Sequence, residues 1–148
     1  MSDYARKPRG GPADLPEGYE RRFSFCCAGC RHRVTPPSVR FFGRRVYLAP
    51  VFLIVSAMQG LLTAQRLSRL RRLFGVDRRT VIRWRRWWRD SFMTTAFWRA
   101  MAGRFAPAVV IGKLTGSLIA RFGGATRQRV IAALRFLSPL STRSAMAI

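Results

Sequence analysis

The chain has 148 residues, enough for one domain with a modest core or two small modules and too few for a large multidomain enzyme. Its hydrophobic fraction of 49% and aromatic fraction of 12% exclude a disordered polymer. Lys+Arg 28 against Asp+Glu 6 leaves a formal charge of +22, so the expected partner is a polyanion. Arginine supplies all of that charge except Lys7 and Lys113, and its planar fork suits phosphates and guanine edges. The acids are Asp3, Asp14, Glu17, Glu20, Asp77 and Asp90. None follows position 90, which leaves no evident pair for a two-carboxylate or two-metal site. The single histidine, His32, lies among cysteines and bases rather than near a candidate serine nucleophile. A binder is therefore expected, not an enzyme.

Residues 1–21 read as a flexible basic arm, broken by Pro8, Pro12 and Pro16 and loosened by Gly10 and Gly11. No apolar run precedes them, so no secretory signal is expected, and the expected location is cytoplasmic and nucleoid-associated. Residues 22–43 form the next unit. Aromatic and β-branched residues flank Cys27-Ala28-Gly29-Cys30 and predict a short β hairpin, in which Gly29 would let the turn curl and aim two thiolates at one ion. Cys26 and His32 are the nearby candidates for further zinc ligands. The alternative is a pair of free thiols.

A helix-turn-helix unit is expected over residues 44–90. Residues 46–65 carry no charge, which raises a competing reading: insertion into a bilayer, with the arginines on anionic lipid. Ser56, Gln59, Thr63 and Gln65 interrupt the run, and Gly60 stands where a globular helix over about 46–59 would end. Pro50 is compatible with that helix only near its first turn. A second helix fits residues 63–74, with Thr63 as N-cap and Ala64, Leu67, Leu70 and Phe74 on one face. Gly75 stops it and Asp77 caps a third. There Val81, Trp84 and Trp88 face inward, while Trp87 points partly outward, where it can seat the tail.

A helical basic tail is expected over residues 91–148, with pieces at 92–102, 114–122 and 125–137. The last presents Val130, Leu134 and Leu137 on one face and Arg127, Arg129 and Arg135 away from it, as a helical tail or a partner surface.

The Gly75-Val76-Asp77 corner between two helices has the layout of a helix-turn-helix. It leaves Arg78, Arg79, Thr80, Arg83, Arg85 and Arg86 as candidate DNA-binding residues. Arg79 and Arg83 share a face and are expected at base edges, with Arg78, Arg85 and Arg86 nearer the phosphates. Structured RNA is an alternative target for the same arginines.

The segment RRFSFCCAGCRHRVTPPSVRFFGRRVYL resembles the second knuckle of the zinc ribbon that opens many bacterial insertion-sequence transposases. The segment TAQRLSRLRRLFGVDRRTVIRWRRWW resembles their helix-turn-helix. The resemblance covers about residues 22–90. It implies zinc on Cys27 and Cys30, and Arg78, Arg79, Thr80 and Arg83 on a helix that binds element ends. An upstream C-x-x-C and an acidic catalytic core, both present in such transposases, are missing here. The expectation is a mainly α protein, a helix-turn-helix bundle behind a small cysteine-bearing β hairpin or partial zinc ribbon. Its expected partner is double-stranded DNA, with a full-length transposase or a second copy of itself as further partners.

Overall fold

In the N-terminal third, backbone pairing rather than side-chain periodicity organises the chain. The computed structural model describes residues 2–43, 45–58 and 60–142. Strands β1 (Ser2–Arg6), β2 (Arg22–Cys26) and β3 (Arg33–Val34) form one antiparallel sheet in that order. The pairing of β1 with β2 runs from Ser2 opposite Cys26 to Arg6 opposite Arg22. The cysteine-bearing hairpin is therefore present, and the arm is its third strand. Beyond β1 the arm also reaches the body: the Arg9 amide donates to the Val46 carbonyl at 2.8 Å, and the Leu48 amide donates to the Arg9 carbonyl at 3.0 Å. The expectation of a loose arm is corrected on this point. Backbone hydrogen bonds hold the segment, and they leave no apolar period to read.

A second, two-stranded sheet pairs β4 (Phe41–Phe42) with β5 (Tyr47–Leu48). These pairings consume the residues with which the first helix was expected to begin. Helix α1 runs Ala49–Ala57, with Pro50 in its first turn, where the missing N–H costs no helical bond. Nine residues rise about 14 Å, less than half of a bilayer core of about 30 Å. Among the described residues no helix is long and apolar enough to cross a membrane. The apolarity of α1 is that of a buried helix: Phe52, Leu53 and Val55 are each at most 2% exposed.

Helices α2 (Ala64–Phe74) and α3 (Arg78–Arg86) follow, and α3 continues through a π turn over Trp87–Ser91 and a 3-10 turn over Phe92–Thr94. The wider turn re-aims the helix, so Trp87 and Trp88 are both buried although they are adjacent in sequence. Trp87 does not face outward as expected; its ring lies against Phe42, Phe52 and Phe92. Phe52 is the hub of this aromatic core, 4.7 Å from Phe42 and 5.3 Å from Trp84, centroid to centroid.

The remaining helices are α4 (Ala96–Met101), α5 (Leu114–Ala120) and α6 (Thr126–Leu137). The molecule is mainly helical, with two small antiparallel sheets. Ala133, Leu134 and Leu137 of α6 join the same core cluster as Trp84, so this face packs on the body, with Arg127, Arg129 and Arg135 exposed on the other side. The segment after residue 91 completes the core of the helices before it. Arg22 ties the sheet to the C-terminal turn by donating to the Ser141 carbonyl at 2.7 Å. Burial, with Arg6 adding repulsion, pulls its guanidinium down to about 10, so it remains charged at neutral pH.

Candidate nucleic-acid interface

Local signals at three positions fix the corner between α2 and α3. The Thr63 side chain accepts from the Arg66 amide at 3.3 Å and starts α2. Gly75 ends it in the left-handed region at φ 63°, with its amide donating to the Arg71 carbonyl. A side chain at Gly75 would meet no neighbour within 4 Å, so conformation rather than space selects glycine here. Val76 is buried beneath the corner, close to Gly10 of the N-terminal segment. The Asp77 carboxylate then accepts from the Thr80 amide at 2.7 Å and opens α3.

The Thr80 amide, followed by its hydroxyl, holds the Asp77 carboxyl below the usual carboxylate range. A depressed folded-state value means that the cap stabilises the protein above the unfolded carboxyl pKa and loses that effect as pH falls through the lower, folded value. Asp77→Ala should destabilise the protein by about 0.5–2 kcal/mol at neutral pH. The difference from the parent should shrink in acid, as followed by urea denaturation at pH 7 and pH 3.

Val81 and Trp84 face inward with no measurable exposure. Arg78, Arg79 and Arg86 are exposed, as expected for residues that meet a ligand. Arg83 and Arg85 behave differently. The Arg83 guanidinium donates to the Tyr47 hydroxyl and to the Thr80 hydroxyl, and lies over the Tyr47 ring. Arg85 donates to the Met58 carbonyl at 2.9 Å and to the Gly60 carbonyl at 3.3 Å, where carbonyls just past the end of α1 need donors. Both side chains are half-buried and brace α3 against β5 and α1. Thr80 is likewise half-buried, its hydroxyl engaged by Arg83.

The candidate residues named from the sequence include none of α2. Only Leu70 of α2 is buried, and Arg69, Arg71 and Arg72 are exposed. A groove of about 480 Å³ between the helices is lined by Leu67, Ser68, Arg71, Asp77, Arg78 and Arg79. Arg69 and Arg72 border a second groove along α2 with Gln65, Ser68 and Leu73. The amphipathic period of α2 was the signal: residues off its apolar face had to be exposed, whichever ligand they serve.

The cysteine turn closes through backbone bonds, from the Cys27 amide to the His32 carbonyl at 2.9 Å and from the Arg31 amide to the Cys27 carbonyl at 3.0 Å. Arg31, at φ 56°, takes the left-handed conformation there, and not Gly29 as expected. Cys27 and Cys30 are exposed. The Cys30 amide and thiol, then the Gly29 amide, bond the Cys27 sulfur and lower the pKa of its thiol. Cys26 does not join them, since its thiol is directed at the carbonyls of Arg31 and Cys27. Among the described residues no group of three or more His, Cys, Asp or Glu is placed to hold a metal. Cys27 and Cys30 offer two ligands, and a structural zinc site takes four. This chain's described residues do not fit a complete zinc site.

Compared with protein-family models, with curated proteins and with solved structures, the chain matches none.

Proposed function

We propose that this chain binds double-stranded DNA without cutting it, through the paired helices α2 and α3. The observation that carries the reading is the capped corner, which leaves Arg71, Arg78 and Arg79 around one groove at the exposed start of α3. A helix of this diameter enters a major groove about 12 Å wide. The start of a helix also favours phosphate, because its first amides lack internal partners. In this reading Arg79 meets base edges, and Arg78 and Arg86 flank it on the phosphates. Arg69 and Arg72 of α2 follow the backbone beside them. Arg83 and Arg85 act by positioning α3. The transposase resemblance extends the reading to the ends of a mobile element and to a nucleoid location.

The test begins with selection of bound fragments from a random duplex library. On the selected site, Arg79→Ala should cost about 1–3 kcal/mol of binding and relax discrimination at one base pair. Arg83→Ala should lower thermal stability more than it alters base preference. An equal loss for Arg79→Ala on every duplex would move that residue to the phosphates. Stronger binding to duplex RNA than to any selected DNA would overturn the reading.

A further inference from the structure

We propose that the cleft lined by the last turn of α1, the π turn and the start of α5 binds a small organic anion, a carboxylate or phosphate monoester carried on a flat apolar body. Its volume of about 480 Å³ lies within the range of small-molecule sites. Two buried donors point to a ligand. Ser56, 8% exposed, and Trp88, 3% exposed, both line the cleft, and among the described residues neither the Ser56 hydroxyl nor the Trp88 indole N–H has a hydrogen-bond partner. A helical serine has the carbonyl one turn back within reach, here that of Phe52, yet Ser56 does not bond to it. An indole N–H only donates, so what it needs is an acceptor. Buried donors without acceptors destabilise a fold, and an occupant bearing oxygen atoms relieves both at once. Thr115, 4% exposed, adds a further hydroxyl to the cleft.

Charge selects the sign of the occupant. The described residues lining the cleft include Arg85, Arg89 and Lys113 and no carboxylate. Arg85 is already bonded to the Met58 and Gly60 carbonyls, and Arg89 to Asp90. That leaves Lys113, in the 3-10 turn Ile111–Lys113 ahead of α5, as the cation for the ligand. Met58, Ile111 and Leu114 supply apolar wall, and Ile111 is 65% exposed, so an apolar body in the cleft covers it. An inorganic ion would leave that wall unused, and a neutral molecule would leave Lys113 without a counter-charge. The inference does not depend on DNA binding.

The experiment uses the full chain without nucleic acid. Isothermal titration calorimetry compares 2-naphthoate, 2-naphthyl phosphate, the neutral 2-naphthalenemethanol and inorganic phosphate. Nitrogen-15 spectra follow the Trp88 indole N–H, assigned by its absence in Trp88→Phe. The expected result is one naphthyl anion per chain, bound about tenfold tighter than the alcohol or inorganic phosphate, with a shift of the Trp88 N–H resonance. The stronger of the two anions identifies the oxyanion. Ser56→Ala should keep the parent's thermal stability and weaken the anion about tenfold. Lys113→Gln should bring the anion's affinity down to that of the alcohol, whereas Arg127→Gln, on α6, should leave it unchanged. Circular dichroism establishes that each variant is folded. The proposal is overturned if neither naphthyl anion binds, if the alcohol or inorganic phosphate binds as tightly, if the Trp88 N–H does not move, or if Arg127→Gln weakens binding as much as Lys113→Gln. Loss of stability in Ser56→Ala would also overturn it, by showing a hydroxyl already satisfied by trapped water.

Discussion

Trp84→Ala is expected to destabilise the protein by about 3–5 kcal/mol, a large share of a net stability of about 5–15 kcal/mol for a domain. The indole is fully buried and packs edge-on against Tyr47 at 5.0 Å and Phe52 at 5.3 Å. It also lies against Gly10, so its removal opens a void shared by the N-terminal segment, β5, α1 and α3. Those elements are fixed by separate hydrogen bonds and can collapse into the void only in part. The indole N–H of Trp84 has no hydrogen-bond partner, which makes packing the main term lost. Trp84→Phe should therefore retain most of the stability. Urea denaturation of the two variants checks this, and a loss below about 1 kcal/mol for alanine would contradict the aromatic core as its source.

Affinity for duplex DNA is expected to fall by about 10³ between 50 and 200 mM salt if Arg69, Arg71, Arg72, Arg78, Arg79 and Arg86 each displace a counterion. Six contacts give a slope of about −5 in a plot of log affinity against log salt. The two grooves give five of these side chains, all but Arg86, positions on both helices of the unit, so the charge is spread along a surface rather than gathered at a point. Fluorescence anisotropy with a labelled duplex measures the slope. A value near zero would remove phosphate neutralisation from the account.

The local punctuation of the fold was readable from the chain itself. Thr63, Gly75 and Asp77 act within a turn or two of their own positions, so a short window of sequence contains the whole physical cause. Pro50 likewise restricts a helix start to its own neighbourhood. The inward positions Val81, Trp84 and Trp88 followed from period alone. What stayed hidden depends on contacts distant in sequence. Residues 2–6 have no amphipathic pattern of their own and become a strand only because β2 offers its edge. Tyr47, 36 residues before Arg83, takes up that guanidinium, and the carbonyls of Met58 and Gly60 take up Arg85. Two of the arginines expected on DNA are drawn back to the protein for this reason. The burial of both Trp87 and Trp88 needs a π turn, which a fixed helical period cannot represent. At the cysteine turn, spacing could not show that the Cys26 thiol is directed at the Arg31 carbonyl.

The most direct measurement compares salt slopes for three proteins: the parent, a variant with Arg71, Arg78 and Arg79 changed to Gln, and a control with Arg99, Arg127 and Arg135 changed to Gln. Both variants lose the same charge from exposed positions, one set around the groove between α2 and α3 and the other on α4 and α6. The groove variant should show a slope shallower by about 3, and the control should keep the parent's slope. Equal slopes for the two variants, or a larger change in the control, would contradict a DNA surface built on the corner at Gly75.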